Sequence, residues 1–195
     1  MNKFMMNNYD IVKLNGENFY DLQCLFSECF ENDPYYSKIF SNASVREELS
    51  GPAFSSILSF CLNKDGAYGI YENKKLIAFL LLIDYHKTKC LHTEYFETIF
   101  IKYFCGKELP YIKEIHNKIS RYEVDVIYLL SIGVSKNFRR RGIAKKLIDF
   151  TIEKYQNSYI VGDVSNVSSI TLYKERNFEC EKIDDDYFLV IRKPI

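Results

Sequence analysis

The sequence predicts a mixed α/β domain, with helices gathered toward its N-terminus and strands alternating with helices through its C-terminal half. Three observations carry that prediction. From residue 126 onward, apolar runs of strand length alternate with stretches whose apolar residues recur every three or four positions, giving the order strand, helix, strand, helix, strand, strand. Residues 66–85 hold two apolar runs around a short polar turn, the signature of a β-hairpin. Residues 17–31 place Phe19, Leu22, Leu25, Phe26, Cys29 and Phe30 on one helical face.

The elements follow in order. "YDIVKLN" (9–15) alternates as a first strand and is ended by Asn15-Gly16. The helix over 17–31 is stopped by Asp33-Pro34, because proline disfavours helical backbone in the residue before it. A second helical stretch covers about 44–63, with a break at Gly51-Pro52. In the hairpin, 66–72 turns through "NKK" into "LIAFLLLIDY" (76–85), which is apolar on both faces and so belongs in the middle of its sheet. Residues 88–120 read as helical in two pieces divided near Gly106 and Pro110. "VIYLLSIGV" (126–134) is a strongly apolar strand, after which Ala144, Leu147, Ile148, Thr151, Ile152 and Tyr155 mark a helix with one buried face. "YIVGDV" (159–164) is a strand, 166–178 a short helix capped by Ser165 or Asn166, and the tail a hairpin turning on Asp184 to Asp186.

The chain has 195 residues, a length that suits one domain over 1–195, and no Pro/Gly/Ser-rich linker divides it. Hydrophobic residues make up 47 % and charged residues 27 %, the balance of a soluble globular protein. Bases and acids number 26 each, so overall charge gives no reason to expect nucleic acid or an anionic membrane as partner. The longest apolar run, 76–83, is far short of the roughly 20 residues of a membrane span. The first residues lack the apolar run of a signal peptide, and the six cysteines (24, 29, 61, 90, 105 and 180) form no Cys-x-x-Cys pair. No Cys/His cluster has zinc spacing. The expectation is a cytoplasmic chain with reduced thiols, no metal, and cysteines that serve as small buried hydrophobes. His86, His92 and His116 are scattered and read as surface or core residues.

Against this even charge balance, Lys136, Arg139, Arg140, Arg141, Lys145 and Lys146 fall together with no acid among them, and Gly142 sits where a helix begins. The first amides of a helix have no partner inside it and form a positive end. Entered from a strand through a glycine-containing loop, such an end suits a diphosphate. Arg139, Arg140, Arg141 and Lys145 add charge there, and Ala144 keeps the contact small. Neither GxxxxGK[ST] nor GxGxxG is present. A solvated helix start or a nucleic-acid patch is the alternative, and the strand before and amphipathic helix after favour the diphosphate.

Arg139, Gly142 and Ala144, in the pattern Arg-x-x-Gly-x-Ala after a strand ending at Val134, resemble the acyl-coenzyme A (CoA) motif of the GNAT-type N-acetyltransferase superfamily. Asn166, Ser169, Leu172, Tyr173 and Phe178 resemble its Asn-x-x-(Ala/Ser)-x-x-Leu-Tyr-x-x-x-Gly-Phe segment, with Asn177 in place of the glycine. The resemblance implies a central, mixed, mostly antiparallel twisted sheet of six to seven strands flanked by helices, with 88–120 as a helical insertion between the third and fourth strands. It also implies transfer of an acetyl group from acetyl-CoA to an amine. The fourth strand would part from the fifth and offer backbone groups of Ile132, Gly133 and Val134 to the pantetheine arm, with Gly133 suited to a bulge. An amide at this strand end would stabilise the oxyanion. The amides of Arg140, Arg141, Gly142, Ile143, Ala144 and Lys145 would hold the diphosphate, and Asn166 and Ser169 would lie near the cosubstrate.

Tyr173 occupies the family's general-acid position, where it would protonate the departing thiolate. The base stays open. The family's glutamate positions fall on Tyr128 and Val161, and Glu123, Asp125 and Asp163 are the nearby carboxylates; a water chain or an amine arriving neutral is the alternative. The insertion, and Phe30 to Pro34 as an "F…DP" element, point to a small-molecule amine as partner of a monomer or homodimer. Acetylation of a protein, at its N-terminus or a lysine, and a non-catalytic CoA sensor are the other readings.

Overall fold

The most apolar run of the chain becomes the middle of its sheet. In a computed structural model that describes residues 9–33, 36, 45–85, 122, 125–165, 167–183 and 187–195, every residue from Leu76 to Ile83 is buried. These residues lie in β3 (Lys75–Asp84), which pairs antiparallel with β2 (Ala67–Glu72) and β4 (Val126–Val134). With β1 (Val12–Lys13), β5 (Tyr159–Val164), β6 (Glu179–Lys182) and β7 (Phe188–Arg192), the sheet has seven strands in the order β1-β2-β3-β4-β5-β7-β6. The β4–β5 pairing is parallel and the other five are antiparallel, as a mixed, mostly antiparallel sheet requires. The β2–β3 turn places both Asn73 (φ 50°) and Lys74 (φ 64°) in the left-handed region, the backbone of a tight hairpin turn that matches strand twist.

Helices cover both faces. On one face, α1 (Phe19–Phe30) and α3 (Pro52–Asn63) pack Leu22, Leu25, Phe26, Phe54 and Leu58 against Phe79, Leu81 and Ile83. Phe79 is the hub, with ring centroids 5.7 Å from Phe26 and 6.4 Å from Phe30. On the other face, α4 (Ile143–Lys154) and α5 (Val167–Lys174) bury Ile143, Leu147, Ile148, Ile170 and Tyr173 against Leu80, Leu82, Leu129 and Val190. Gly51 and Pro52 do break the second helical stretch, into α2 (Val45–Leu49) and α3, with Gly51 as the cap and Pro52 in the first turn. Among the described residues no helix is long and apolar enough to cross a membrane.

The first strand is much shorter than its alternation predicts. The Asn15 side chain accepts from the Glu17 amide and the Asn18 side chain from the Asn15 amide, both at 2.9 Å. This reciprocal cap starts a 3-10 turn at Gly16–Asn18 and draws the chain off the sheet edge. The predicted insertion at 88–120, His86, His92 and His116, and the Asp184 to Asp186 turn lie outside the described residues.

Candidate active site

A gap opens in the sheet between β4 and β5. Their parallel pairing ends at Leu129 opposite Gly162, whereas β4 continues paired to β3 as far as Val134 opposite Ala78. Among the described residues the β5-facing edge of β4 is therefore without a strand neighbour from Leu130 to Val134. The register also shows why the strands part. Leu81 faces Ser131 and Leu82 faces Leu129, so Leu130 is an extra residue in β4, placed right after its last pair with β5. A bulge of this kind bends its strand and adds twist.

The bulge is therefore at Leu130, and the expectation of one at Gly133 is corrected: Gly133 pairs in regular register with Phe79. Its glycine has another cause. A Cβ there would sit 2.2 Å from Phe79 Cε1 and 2.9 Å from Cys29 Sγ. Gly133→Ala is expected to cost about 1–3 kcal/mol through overpacking against this hub, read as a lower denaturation midpoint. A midpoint equal to the wild type's would show that the ring is free to yield.

At the end of β4 the chain enters the basic loop. Lys136–Phe138 form a 3-10 turn, Arg140 takes φ 63°, and Gly142 takes φ 78° as the residue before α4. No heavy atom lies within 4 Å of where a Gly142 Cβ would project, so within the chain it is this left-handed backbone that asks for glycine. Lys146 donates to the Gly142 carbonyl at 3.0 Å, the first bond of the helix; among the described residues no acceptor takes the amides of Arg140 to Lys145. Six consecutive amides at a positive helix end are thus free to receive an anion.

The arginines divide their work. Arg139 Nε donates to the Val134 carbonyl at 3.0 Å, and Arg141 Nη2 donates to the Asn137 carbonyl at 3.0 Å while its guanidinium lies over the Phe138 ring. These two side chains fasten the loop. Arg140 and Lys145 are exposed and make no ion pair among the described residues, leaving their charge for a ligand. The acids missing from the basic run come from α1 and the residue after it. Glu28 accepts from the Lys136 amide at 2.9 Å, and Glu31 pairs with Lys136 Nζ at 3.4 Å. Although partial burial pushes the other way, the Lys136 amide and the Ser135 hydroxyl hold the Glu28 carboxyl below its ordinary range.

Tyr173 is set by how α5 ends. Phe178 N donates to Tyr173 O at 3.2 Å and Asn177 N to Lys174 O at 3.1 Å, with Asn177 at φ 60°. This is the Schellman pattern, and Asn177 fills the left-handed position usually given to glycine. Its customary apolar contact is the Tyr173–Phe178 ring pair, with centroids 5.2 Å apart. Tyr173 is buried, and its hydroxyl donates to no acceptor among the described residues. Burial, then the neighbouring Asp163 and Cys180, push its pKa above the ordinary tyrosine value.

A parted β4–β5 pair, an anion-receiving helix end at the same strand terminus and a buried tyrosine now stand together. The acetyltransferase (GNAT) family model matches residues 19–178. The chain belongs to the GNAT acetyltransferase family. Histone acetyltransferase MCC1 of Arabidopsis thaliana is 32 % identical over 98 residues, which are 47 % of this chain and only 39 % of that protein. Among solved structures, the polyamine N-acetyltransferase of Drosophila melanogaster superposes with a TM-score of 0.72 at 12 % identity, covering 95 % of this chain and 100 % of that one. Arylalkylamine N-acetyltransferase 2 of Aedes aegypti gives 0.65 at 17 % identity, covering 95 % and 97 %. At such identities these likenesses show the fold.

Acetyl-CoA is the cosubstrate of the GNAT family, and the residues here fit it: the open edge of β4 runs through Ile132, Gly133 and Val134 into the free amides of Arg140 to Lys145. Ser169 is half-buried in α5, and Asn166 lies outside the described residues. Of the positions considered for a base, Glu123 also lies outside them, Asp125 is exposed at the far end of β4, and Val161 is buried in an apolar cluster. Asp163, on β5, accepts a hydrogen bond from the Tyr128 hydroxyl. The sequence carries both of these residues, but only the pairing of β4 with β5 brings them together. Cys61 is buried as expected of a small hydrophobe, and burial pushes its thiol up to about 12; Cys24 departs from that expectation by being exposed.

Proposed function

We propose that this protein transfers an acetyl group from acetyl-CoA to the primary amine of a small molecule, by direct attack of the amine on the thioester. The observation that carries the reading is the β4–β5 gap, which starts at Leu129 and Gly162 and has free amides at one end and Tyr173 beside it. The polyamine and arylalkylamine N-acetyltransferases that share the fold over 95 % of the chain support the small-amine class. The partial match to a histone acetyltransferase gives the rival reading, a protein acceptor.

Tyr173 retains its proton at neutral pH because burial disfavours the phenolate. The same buried surroundings disfavour a thiolate, whose reference pKa is about 8.5, so a proton donor at the sulfur favours its departure as the thiol. Acetylation by the full chain of a panel of polyamines, arylalkylamines and a lysine peptide, followed by release of free thiol, tests the reading. Thiol release that depends on a small amine is expected. Release only with the peptide would transfer the activity to proteins, and CoA binding without release on any acceptor would make the chain a sensor.

A further inference from the structure

We propose that Asp163 takes the proton released by the attacking amine, with Tyr128 as its positioning partner. The inference rests on the acetyl-transfer reading and supplies the base that the family's glutamate positions, occupied here by Tyr128 and Val161, do not provide.

Position comes first. Gly162 is the last residue of β5 to pair with β4, and Asp163 follows it, at the point where the strands separate. Its remaining strand partner is the apolar Leu189 of β7. From β4, the Tyr128 hydroxyl donates to Asp163 Oδ1, so a hydrogen bond spans the base of the gap. Tyr173 approaches from α5, close enough for Asp163 to disfavour its phenolate. Asp33, beyond the end of α1, approaches from the opposite face, with the Ser165 hydroxyl 3.5 Å from its Oδ2. Among the described residues these are the groups that face Asp163 from the elements around it, with Cys180 of β6 near Tyr173. No lysine, arginine or histidine among the described residues pairs with Asp163.

A half-buried carboxylate that no cation pairs with among the described residues is suited to accept a proton. Burial first, and then Asp33, raise its pKa above the ordinary aspartate value, and the Tyr128 hydrogen bond opposes the rise. The proton count closes by exchange with solvent. As the neutral amine attacks, a C–N bond forms and the C–S bond breaks. Asp163 receives the nitrogen's proton and Tyr173 gives its phenolic proton to the sulfur. Asp163 then gives its proton to solvent and Tyr173 takes one from solvent, which restores both groups. An amine that arrives protonated first gives one proton to solvent.

The test is kcat/KM of the full chain against pH, with an acceptor from the amine panel, and CoA affinity measured in parallel. Asp163→Asn is expected to lower kcat/KM about 100-fold, a typical loss for a general base, and to abolish the acid limb while leaving CoA affinity unchanged. Tyr128→Phe is expected to move the acid limb to higher pH, because the lost hydrogen bond favoured the charged carboxylate; a role in packing alone would leave the limb in place. Wild-type kcat/KM and an unmoved limb in Asp163→Asn would overturn the assignment alone. If that variant does not fold, an unmoved limb in Tyr128→Phe overturns it. A wild-type chain that acetylates no amine would overturn the acetyl-transfer reading and the role of Asp163 with it.

Discussion

Phenylalanine in place of Tyr173 is expected to lower turnover about 10- to 1,000-fold, the loss of an acid catalyst, with affinity for CoA and thermal stability nearly unchanged. The reason lies in what the substitution leaves alone. The ring stays against Phe178, and the Schellman bonds that hold it are made by backbone. The hydroxyl donates to nothing in the described protein, so its removal strands no partner. What is lost is the proton that the proposed mechanism gives to the departing sulfur. Burial keeps that proton in place above the ordinary tyrosine range, so the wild-type rate should not fall at mildly alkaline pH through ionisation of Tyr173. Wild-type turnover in the phenylalanine variant would remove Tyr173 from the mechanism.

Valine in place of Gly142 is expected to weaken CoA binding at least tenfold, on the order of 1.4 kcal/mol. At φ 78° a β-branched residue is a severe outlier. The loop would have to turn Gly142 over and carry the neighbouring amides out of their common direction. Asparagine, which tolerates the left-handed region, should keep more affinity than alanine, and alanine more than valine. Isothermal titration of the three variants gives the order. Equal affinities would mean that side-chain charge from Arg140 and Lys145, not backbone geometry, carries the binding.

What the sequence showed and hid follows from the range of the interactions concerned. β3 was legible because eight consecutive apolar residues leave no face for water, and β5 and α4 because their apolar periods are local. Asn177 was legible as a substitute for glycine because a helix ending depends on a few adjacent residues, and its φ of 60° bears this out. The length of β1 was hidden by a side-chain cap, Asn15 with Asn18, that competes with strand pairing. The bulge at Leu130 was hidden because register is a relation between β3 and β4 across tens of residues. For the same reason a glycine at a strand end suggests a bulge at Gly133, whereas in the fold it leaves room for Phe79 to pack, and charge alone does not show the tie of Arg139 to Val134. The Tyr128–Asp163 contact joins two strands and needed the fold.

The claim on which the rest depends is that the amides of Arg140 to Lys145 hold the diphosphate of CoA while the open edge of β4 holds its arm. Titration of CoA into the folded chain, followed by calorimetry at two salt concentrations, tests it most directly. The expected result is saturable binding at one site per chain, weakened but not abolished by salt, because directed hydrogen bonds to the diphosphate persist when the charges of Arg140 and Lys145 are screened. A folded chain that binds no CoA at either salt concentration would contradict it.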